Sequence, residues 1–472
     1  MLVEKHIGPA RPRREQQTYE RIAPVDRPAP SRSPYHQDLP QALEQVDEQV
    51  YRLIEAEHDR LQKTLQLIAA ENQCSRAVLA ALGSVVQNKT TEGFIGRRFH
   101  GGCEVVDGLE ALAIRRAKEV FEAQYANVQP HSGTSANQIV LTAILEPGDR
   151  ILSLAMDQGG HVSHGAQVAF AGRFFTIEQY RVDPASFLLD YDAIAEQARL
   201  FRPKLIVCGA SAYARTIDFA RFRAIADEVG AYLMADVSHI SGLIAAGVHP
   251  SPIDEAHFTT TSTYKPGGPR GGLILMGRDA ELPFQIGGKT MALCERIEKA
   301  TFPGFQGTPY LNNVAAKAVF FREMLTEDYR NRQARIVENA KALAGALDGL
   351  GYEILTGGTD NHMFLVDVTR FRDGLTGLVA QQCLEECGII VNMNRLPYDR
   401  HSARVTSGMR LGTPIVTCNG MCKTHMAEIA RLLDEVLTRV EIVDSKHYRL
   451  DDTFQAETRQ RVQDLCARFP LM

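Results

Sequence analysis

Nowhere in the 472 residues does an apolar run reach the length of about 18 that a membrane-spanning helix needs. The first residues also lack the basic, apolar, small order of a secretory signal. The expectation is a soluble, cytoplasmic protein with no membrane partner. Cysteine pairs of the CxxC type are missing too. The nine cysteines, Cys74, Cys103, Cys208, Cys294, Cys383, Cys387, Cys418, Cys422 and Cys466, sit in apolar stretches and read as reduced core thiols. Cys383/Cys387 and Cys418/Cys422 have helix-face spacing, but with no histidine or carboxylate taken to lie beside them at ligand spacing, no metal site is expected. An excess of positive charge is lacking as well. Against 57 acidic residues stand 52 basic ones, a formal charge of −5, which argues against a nucleic-acid partner and for small-molecule chemistry. What is present is 44% hydrophobic residues in a chain long enough for two or three domains with a sizeable core, without internal repeats.

Residues 1–40 hold seven of the 21 prolines and little apolar periodicity, which predicts an extended or disordered arm. Its six arginines suit a transit peptide, but five acidic residues interleaved with them argue against one. The spacing of Leu43, Val46, Val50, Leu53 and Ile54 predicts an amphipathic helix over 41–66 that leads into the main domain or embraces a partner subunit. Further on, helical stretches such as Leu109–Phe121 alternate with short apolar runs at Arg150–Leu154, Lys204–Cys208, Tyr232–Ala235 and Gly272–Met276. That alternation predicts an α/β fold with a mostly parallel sheet in a large domain, 67–330. The pattern then restarts with a long helix at Ala334–Leu350, apolar runs at Tyr352–Leu355, Met363–Val368 and Ile389–Val391, and a last helix at Lys423–Val440. A smaller C-terminal α/β domain, 331–472, is predicted.

Chemistry concentrates in four places. The apolar run Tyr232–His239 stops at Asp236, and 29 residues later Lys265 lies in the Ser/Thr- and Gly-rich stretch TTTSTYKPGGPRGG. An amine and a carboxylate so placed suit pyridoxal phosphate, which needs the one for its aldehyde and the other for its ring nitrogen. Alone, a solvent-facing lysine and a helix-capping aspartate are the commoner use of such a pair. The loop VQPHSGTSAN runs into a helical pattern, so the hydroxyls of Ser132 and Thr134 with backbone N–H groups form a ready anion site, or else a plain helix cap. In GGHVSH, His161 and His164 make half a metal site with no third ligand evident; a ring stacked on a flat cofactor is the preferred use of His161.

These elements stand in order with others: LIAAEN, TEGFIGRRFHGGCEVVD, YANVQPHSGTSAN, GGHVSHG, ADVSHISGLIAAG, KPGGPRGG, FPGFQGTP, DNHMFLVD and VTSGMRLGTP. On these nine motifs, from Leu67 to about Met421, the chain resembles the serine hydroxymethyltransferase family. The resemblance implies a fold-type I pyridoxal-phosphate enzyme, aspartate-aminotransferase-like, with pyridoxal 5′-phosphate and tetrahydrofolate as cofactors and an amino acid as substrate. It implies Lys265 as the Schiff-base lysine, Asp236 on the ring nitrogen, His161 on the ring face, and His239 and Ser211 near the phenolic oxygen. Ser132, Gly133 and Thr134 would hold the phosphate, with Gly307 and Thr308 also at the cofactor. Arg410 would hold the substrate carboxylate, Glu92 would handle protons, and Thr90 and His100 would face the substrate. Glu92, Met156, Val162, Phe302 and Asn394 would line the folate pocket. A homodimer or dimer of dimers is implied, with Glu92 and its loop reaching into the neighbour's site.

Five departures cluster at that site. Thr90 stands where the family has a tyrosine over the substrate α-carbon, Phe99-His100 replaces a Tyr-Tyr pair, and Tyr264 replaces the histidine before the lysine. KPGGPRGG is one residue short, and QGTP replaces QGGP. Neutral drift accounts for any one of these; together they point to a changed substrate, with α-methylserine and D-alanine favoured over serine and glycine. A folate-independent threonine aldolase or transaldolase and a non-catalytic binding relative are the competing readings.

Overall fold

The strands at the centre of the molecule are buried at nearly every position, so both faces of their sheet are covered. The computed structural model describes residues 39–471 and shows how. Seven strands, β1 (Tyr125–Asn127), β2 (Arg150–Leu154), β3 (Thr176–Tyr180), β4 (Leu205–Cys208), β5 (Tyr232–Asp236), β6 (Phe258–Ser262) and β7 (Gly272–Met276), form one sheet in the order β1-β7-β6-β5-β4-β2-β3. Only β7 runs antiparallel to its neighbours. Alternate residues go to opposite sides: Leu152, Ile206, Leu233 and Leu273 join one apolar cluster, whereas Ile151, Leu205, Met234 and Ile274 join the other. The mostly parallel sheet and the α/β class expected from the sequence are present.

Because β2, β4, β5 and β6 are parallel and β1 points the same way, their C-terminal ends share one edge, the usual place for a ligand in such folds. Into that edge run the loops after Leu154, Cys208, Asp236 and Ser262, and the loop from Asn127 to helix α4. The helices that matter here are α1 (Leu39–Val46), α2 (Glu48–Lys63), α3 (Glu104–Phe121), α4 (Gly133–Ile144), α5 (Leu311–Met324) and α6 (Glu327–Asp348). At the β4 exit Gly209 has φ +120°, and a Cβ there would lie 2.1 Å from the Asp236 carbonyl, so glycine alone lets the two strand ends come together.

A second sheet of four antiparallel strands, β8 (Glu353–Ile354), β9 (Met363–Asp367), β10 (Asn392–Asn394) and β11 (Gly408–Gly412), has the order β8-β9-β11-β10 and its own apolar cluster. Helix α7 (Lys423–Arg439) packs against α6, but it is not the last helix: α8 (Asp452–Ala467) follows, started by Asp451 accepting from Phe454 N at 2.8 Å. The single helix expected over 41–66 is also two. Asp47 accepts from Val50 N at 3.1 Å and so caps α2 afresh, and the segment ends in a short strand, Leu65–Gln66, paired with Ile389–Ile390. Neither α1 nor α2 has a buried residue. The proline-rich arm lies outside the described residues except for Leu39 and Pro40, which open α1. No described helix is long and apolar enough to cross a membrane.

Candidate active site

At the shared strand edge lies a cavity of about 220 Å³, lined among others by Ser132, Gly133, His161, Asp236, His239 and Lys265. Thr134, Ser211, Tyr264 and Arg270 complete much of its wall. Asp236, the last residue of β5, is 7% exposed. Its Oδ2 accepts from His164 Nε2 at 2.9 Å and Asn137 Nδ2 at 2.8 Å, and its Oδ1 accepts from Ser238 N at 3.0 Å. Burial alone would raise its pKa; the hydrogen bond and charge of His164 and the Asn137 amide outweigh burial and keep the carboxylate ionised.

The same network orients His161. Its Nδ1 accepts from Ser163 N at 3.2 Å, so the neutral ring carries its proton on Nε2. Burial, with smaller pushes from His164 and Lys265, lowers the His161 pKa to about 4 against the pull of Asp236. A neutral, flat imidazole ring at the cavity wall results. His161, His164 and Asp236 bring ligand atoms within 4.8 Å of one another, so Asp236 supplies the third ligand atom that the sequence does not place beside the two histidines. In the structure His164 already spends its Nε2 on that carboxylate. Contrary to expectation, a histidine does stand beside the Cys418/Cys422 pair: Cys422 Sγ lies 3.3 Å from His425 Nδ1, three residues on.

Lys265 follows β6, and Asn72, from LIAAEN, donates to its carbonyl at 3.0 Å. Burial pulls its pKa down to about 8, opposed by Asp236 and assisted by Arg410. A depressed amine does not by itself mark the reacting lysine, because Lys317 is pulled lower, to about 7, also by burial. Position separates them: Lys265 lines the cavity, and Lys317 does not. Arg410, on β11, reaches across from the smaller sheet; Nη1 donates to Ser211 O at 2.6 Å and Nε to Asn392 Oδ1 at 3.3 Å. Burial lowers its pKa to about 10, and no carboxylate pairs with it among the described residues. An enclosed guanidinium without an anion is a charge waiting for one. His239 sits beside His362, with Nδ1 3.4 Å from Nε2, and burial holds both imidazoles neutral.

Thr90, Glu92, His100, Phe302, Gly307 and Thr308 are not in the cavity wall. Several of them gather in a second group built on a short hairpin, Gly93–Phe94 with Arg97–Arg98. A Cβ on Gly307 would lie 3.6 Å from Glu92 Oε1, and the Phe99 and Phe302 rings are 5.4 Å apart. Phe99 is 76% exposed, and Thr90 and His100 are exposed beside it. The two groups share one support: His131, next to Ser132, donates from N to Gln306 Oε1 at 3.0 Å, and its Nε2 lies 3.3 Å from Thr308 O. Of the residues expected at folate, Met156 and Val162 are exposed on the loop after β2, and Asn394 lies two positions from Asn392 on β10. The same face of that strand carries both.

The residues present fit pyridoxal phosphate. The cavity holds an accessible amine, a buried ionised carboxylate and a neutral flat ring, and Ser132 caps α4 by accepting from Ser135 N at 3.0 Å. Ser262 Oγ, also in the wall, is buried without a hydrogen-bond partner, and a Cβ on Gly133 would crowd Ser262 N at 3.1 Å, so that end is cut for a small polar group. The serine hydroxymethyltransferase family model matches residues 43–433. The chain belongs to that family. A serine hydroxymethyltransferase from Methanosarcina barkeri is 44% identical to it over 430 residues, covering 91% of this chain and 99% of the relative. As a serine hydroxymethyltransferase family member it is a pyridoxal-phosphate-dependent hydroxymethyltransferase of one-carbon metabolism, and the family uses tetrahydrofolate. Asn137, Ser238, Ser262 and Arg270 are site residues that the sequence did not single out, and His164 was expected only as half of a metal site. Asn137, Ser238 and Arg270 lay inside motifs already quoted, and the Arg270 guanidinium overlies the Tyr264 ring at 4.4 Å.

Proposed function

We propose that this enzyme moves a hydroxymethyl group between tetrahydrofolate and an α-substituted amino acid, with α-methylserine preferred over L-serine. The observation that carries amino-acid chemistry at this cavity is Arg410, an enclosed guanidinium with no carboxylate partner among the described residues, which donates to Ser211 of the cavity wall and is close enough to lower the Lys265 pKa. When bound, the cofactor supplies an electron sink for breaking the Cα–Cβ bond. Lys265 would hold its aldehyde, Asp236 the proton on its ring nitrogen, His161 and His239 its face and edge, and Ser132, Gly133 and Thr134 its phosphate. Arg410 would bind the substrate carboxylate, and Ser211, whose carbonyl accepts from Arg410, keeps that side chain extended.

Glu92 would take the proton from the substrate hydroxyl. In the described chain it belongs to the hairpin group and not to the cavity wall, and the exposure of Thr90, Phe99 and His100 leaves that group open for another surface. The reading is that two copies build each site, the hairpin and Gly307–Thr308 of one closing the Lys265 cavity of the other, in a homodimer or dimer of dimers. Thr90 then replaces the family's tyrosine over the α-carbon, and its smaller side chain leaves room for a methyl group. The test is kcat/KM for L-serine, α-methylserine and L-threonine with and without tetrahydrofolate. A lead for α-methylserine that requires folate supports the proposal. Cleavage of L-threonine without folate, at higher kcat/KM than either serine, replaces it with an aldolase.

Arg410→Ala is expected to weaken amino-acid binding by about tenfold to a hundredfold while cofactor absorbance stays, since a charge-assisted contact to a carboxylate contributes about 1.5–3 kcal/mol. Titration of the purified variant with substrate reads both quantities. Unchanged saturation would show that the carboxylate is held elsewhere.

A further inference from the structure

Lysine is almost never fully buried without a partner charge, yet Lys317, in the middle of α5, is 1% exposed. Its Nζ donates to three backbone carbonyls: Val128 O and Gly272 O at 2.7 Å each, and Pro130 O at 3.2 Å. An ammonium has three donors and no acceptor, so these three bonds satisfy it completely and oppose the burial that pulls its pKa down, whereas a neutral amine could not donate to all three. The carboxylate that acts on it, Glu110 of α3, is committed to Arg98 and to Gln129 Nε2, the latter at 2.8 Å. The other titratable group that senses Lys317 is His131, on the loop it holds. A methionine would fill the same space without taking a charge out of water, so the ammonium is not there for packing.

What the three carbonyls have in common is their position. Val128 and Pro130 lie in the loop that leads to Ser132 and the first turn of α4, and Gly272 opens β7 directly against it. Gly272 N donates to Pro130 O at 2.9 Å, and a Cβ on Gly272 would lie 2.1 Å from Ser132 O. The loop therefore turns its carbonyls inward onto one cation, which leaves the N–H groups of Gly133 and Thr134, at the start of α4, for the cavity. Gly271 is fitted to the same cation: a Cβ there would stand 2.4 Å from Lys317 Cε.

We propose that Lys317 is a positioning residue for the phosphate end of the cofactor site, acting through the loop Val128–Ser132 without touching the cofactor. This rests on the reading of Ser132, Gly133 and Thr134 as the phosphate cradle. The full-length protein, stripped of cofactor, is titrated with pyridoxal 5′-phosphate and, separately, with pyridoxal, which lacks the phosphate. In Lys317→Met, binding of pyridoxal 5′-phosphate is expected to weaken by about tenfold or more, with pyridoxal affinity unchanged and Lys317→Arg recovering part of the loss. A merely structural lysine would move both ligands together. Equal weakening of the two, or no weakening of either, overturns the proposal. Ser132→Ala is read in parallel: if it discriminates between the ligands and Lys317→Met does not, the inference fails alone, and if neither discriminates the cradle reading fails and takes the inference with it. Should Lys317→Met not yield folded protein, Gly271→Ala displaces the same ammonium by its added methyl and is judged by the same two titrations.

Discussion

Lys265→Ala protein no longer holds the cofactor covalently and loses turnover, because the amine that would bind the aldehyde is gone. Two features single out this amine: its place on the cavity wall and a pKa lowered by burial to about 8. Only the neutral amine attacks an aldehyde, so the rate at which stripped wild-type protein captures pyridoxal 5′-phosphate should rise as pH passes through about 8 and then level off. An amine at its ordinary value of 10.5 would still be gaining rate two units higher. Borohydride reduction followed by peptide mass spectrometry locates the attachment. An adduct on Lys317, the other buried lysine with a lowered pKa, or near-wild-type turnover by Lys265→Ala, would reject the assignment.

The second large effect belongs to Thr90. Retro-aldol cleavage of an α,α-disubstituted amino acid needs no α-proton: on the proposed reading the β-hydroxyl would lose its proton to Glu92, the Cα–Cβ bond would break to release formaldehyde, and a proton returned to the α-carbon would give an alanine in place of glycine. Only space over the α-carbon limits such a substrate. Thr90 is exposed in the hairpin group, and exchanging a phenol for a β-branched hydroxyl opens room for a methyl. A methyl-sized difference contributes about 1–3 kcal/mol, so the expected preference for α-methylserine over L-serine in kcat/KM is about tenfold to two-hundredfold, and Thr90→Tyr should reverse it. Steady-state kinetics of both proteins with both substrates decides. A wild-type enzyme that prefers L-serine, or a variant that keeps the α-methyl preference, removes the enlarged pocket from the account.

Much of this architecture was legible in the sequence because its signals are local. Arg150–Leu154 and Gly272–Met276 are strands at the bounds their apolar runs suggest, and β5 stops at Asp236 as the change of polarity after it indicates. Contacts between distant positions were not legible. Asp236 finds His164 and Asn137 at separations of 72 and 99 residues, across strands whose order in the sheet no periodicity encodes. The break at Asp47 was hidden because the apolar spacing continues through it, and only the side-chain cap separates α1 from α2. Lys317 was invisible for a related reason: a lysine in an apolar helix reads as a solvent-facing residue until three carbonyls are seen to converge on it.

Glu92→Ala and Lys265→Ala, each inactive alone, can be unfolded, mixed and refolded together, or coexpressed with different tags and purified through both. If one copy supplies the cavity and the other the hairpin, a random mixture of the two chains contains one intact site in each mixed dimer and recovers about a quarter of wild-type activity. Mixed dimers isolated through both tags that remain as inactive as their parents would show that Glu92 and Lys265 must come from the same chain.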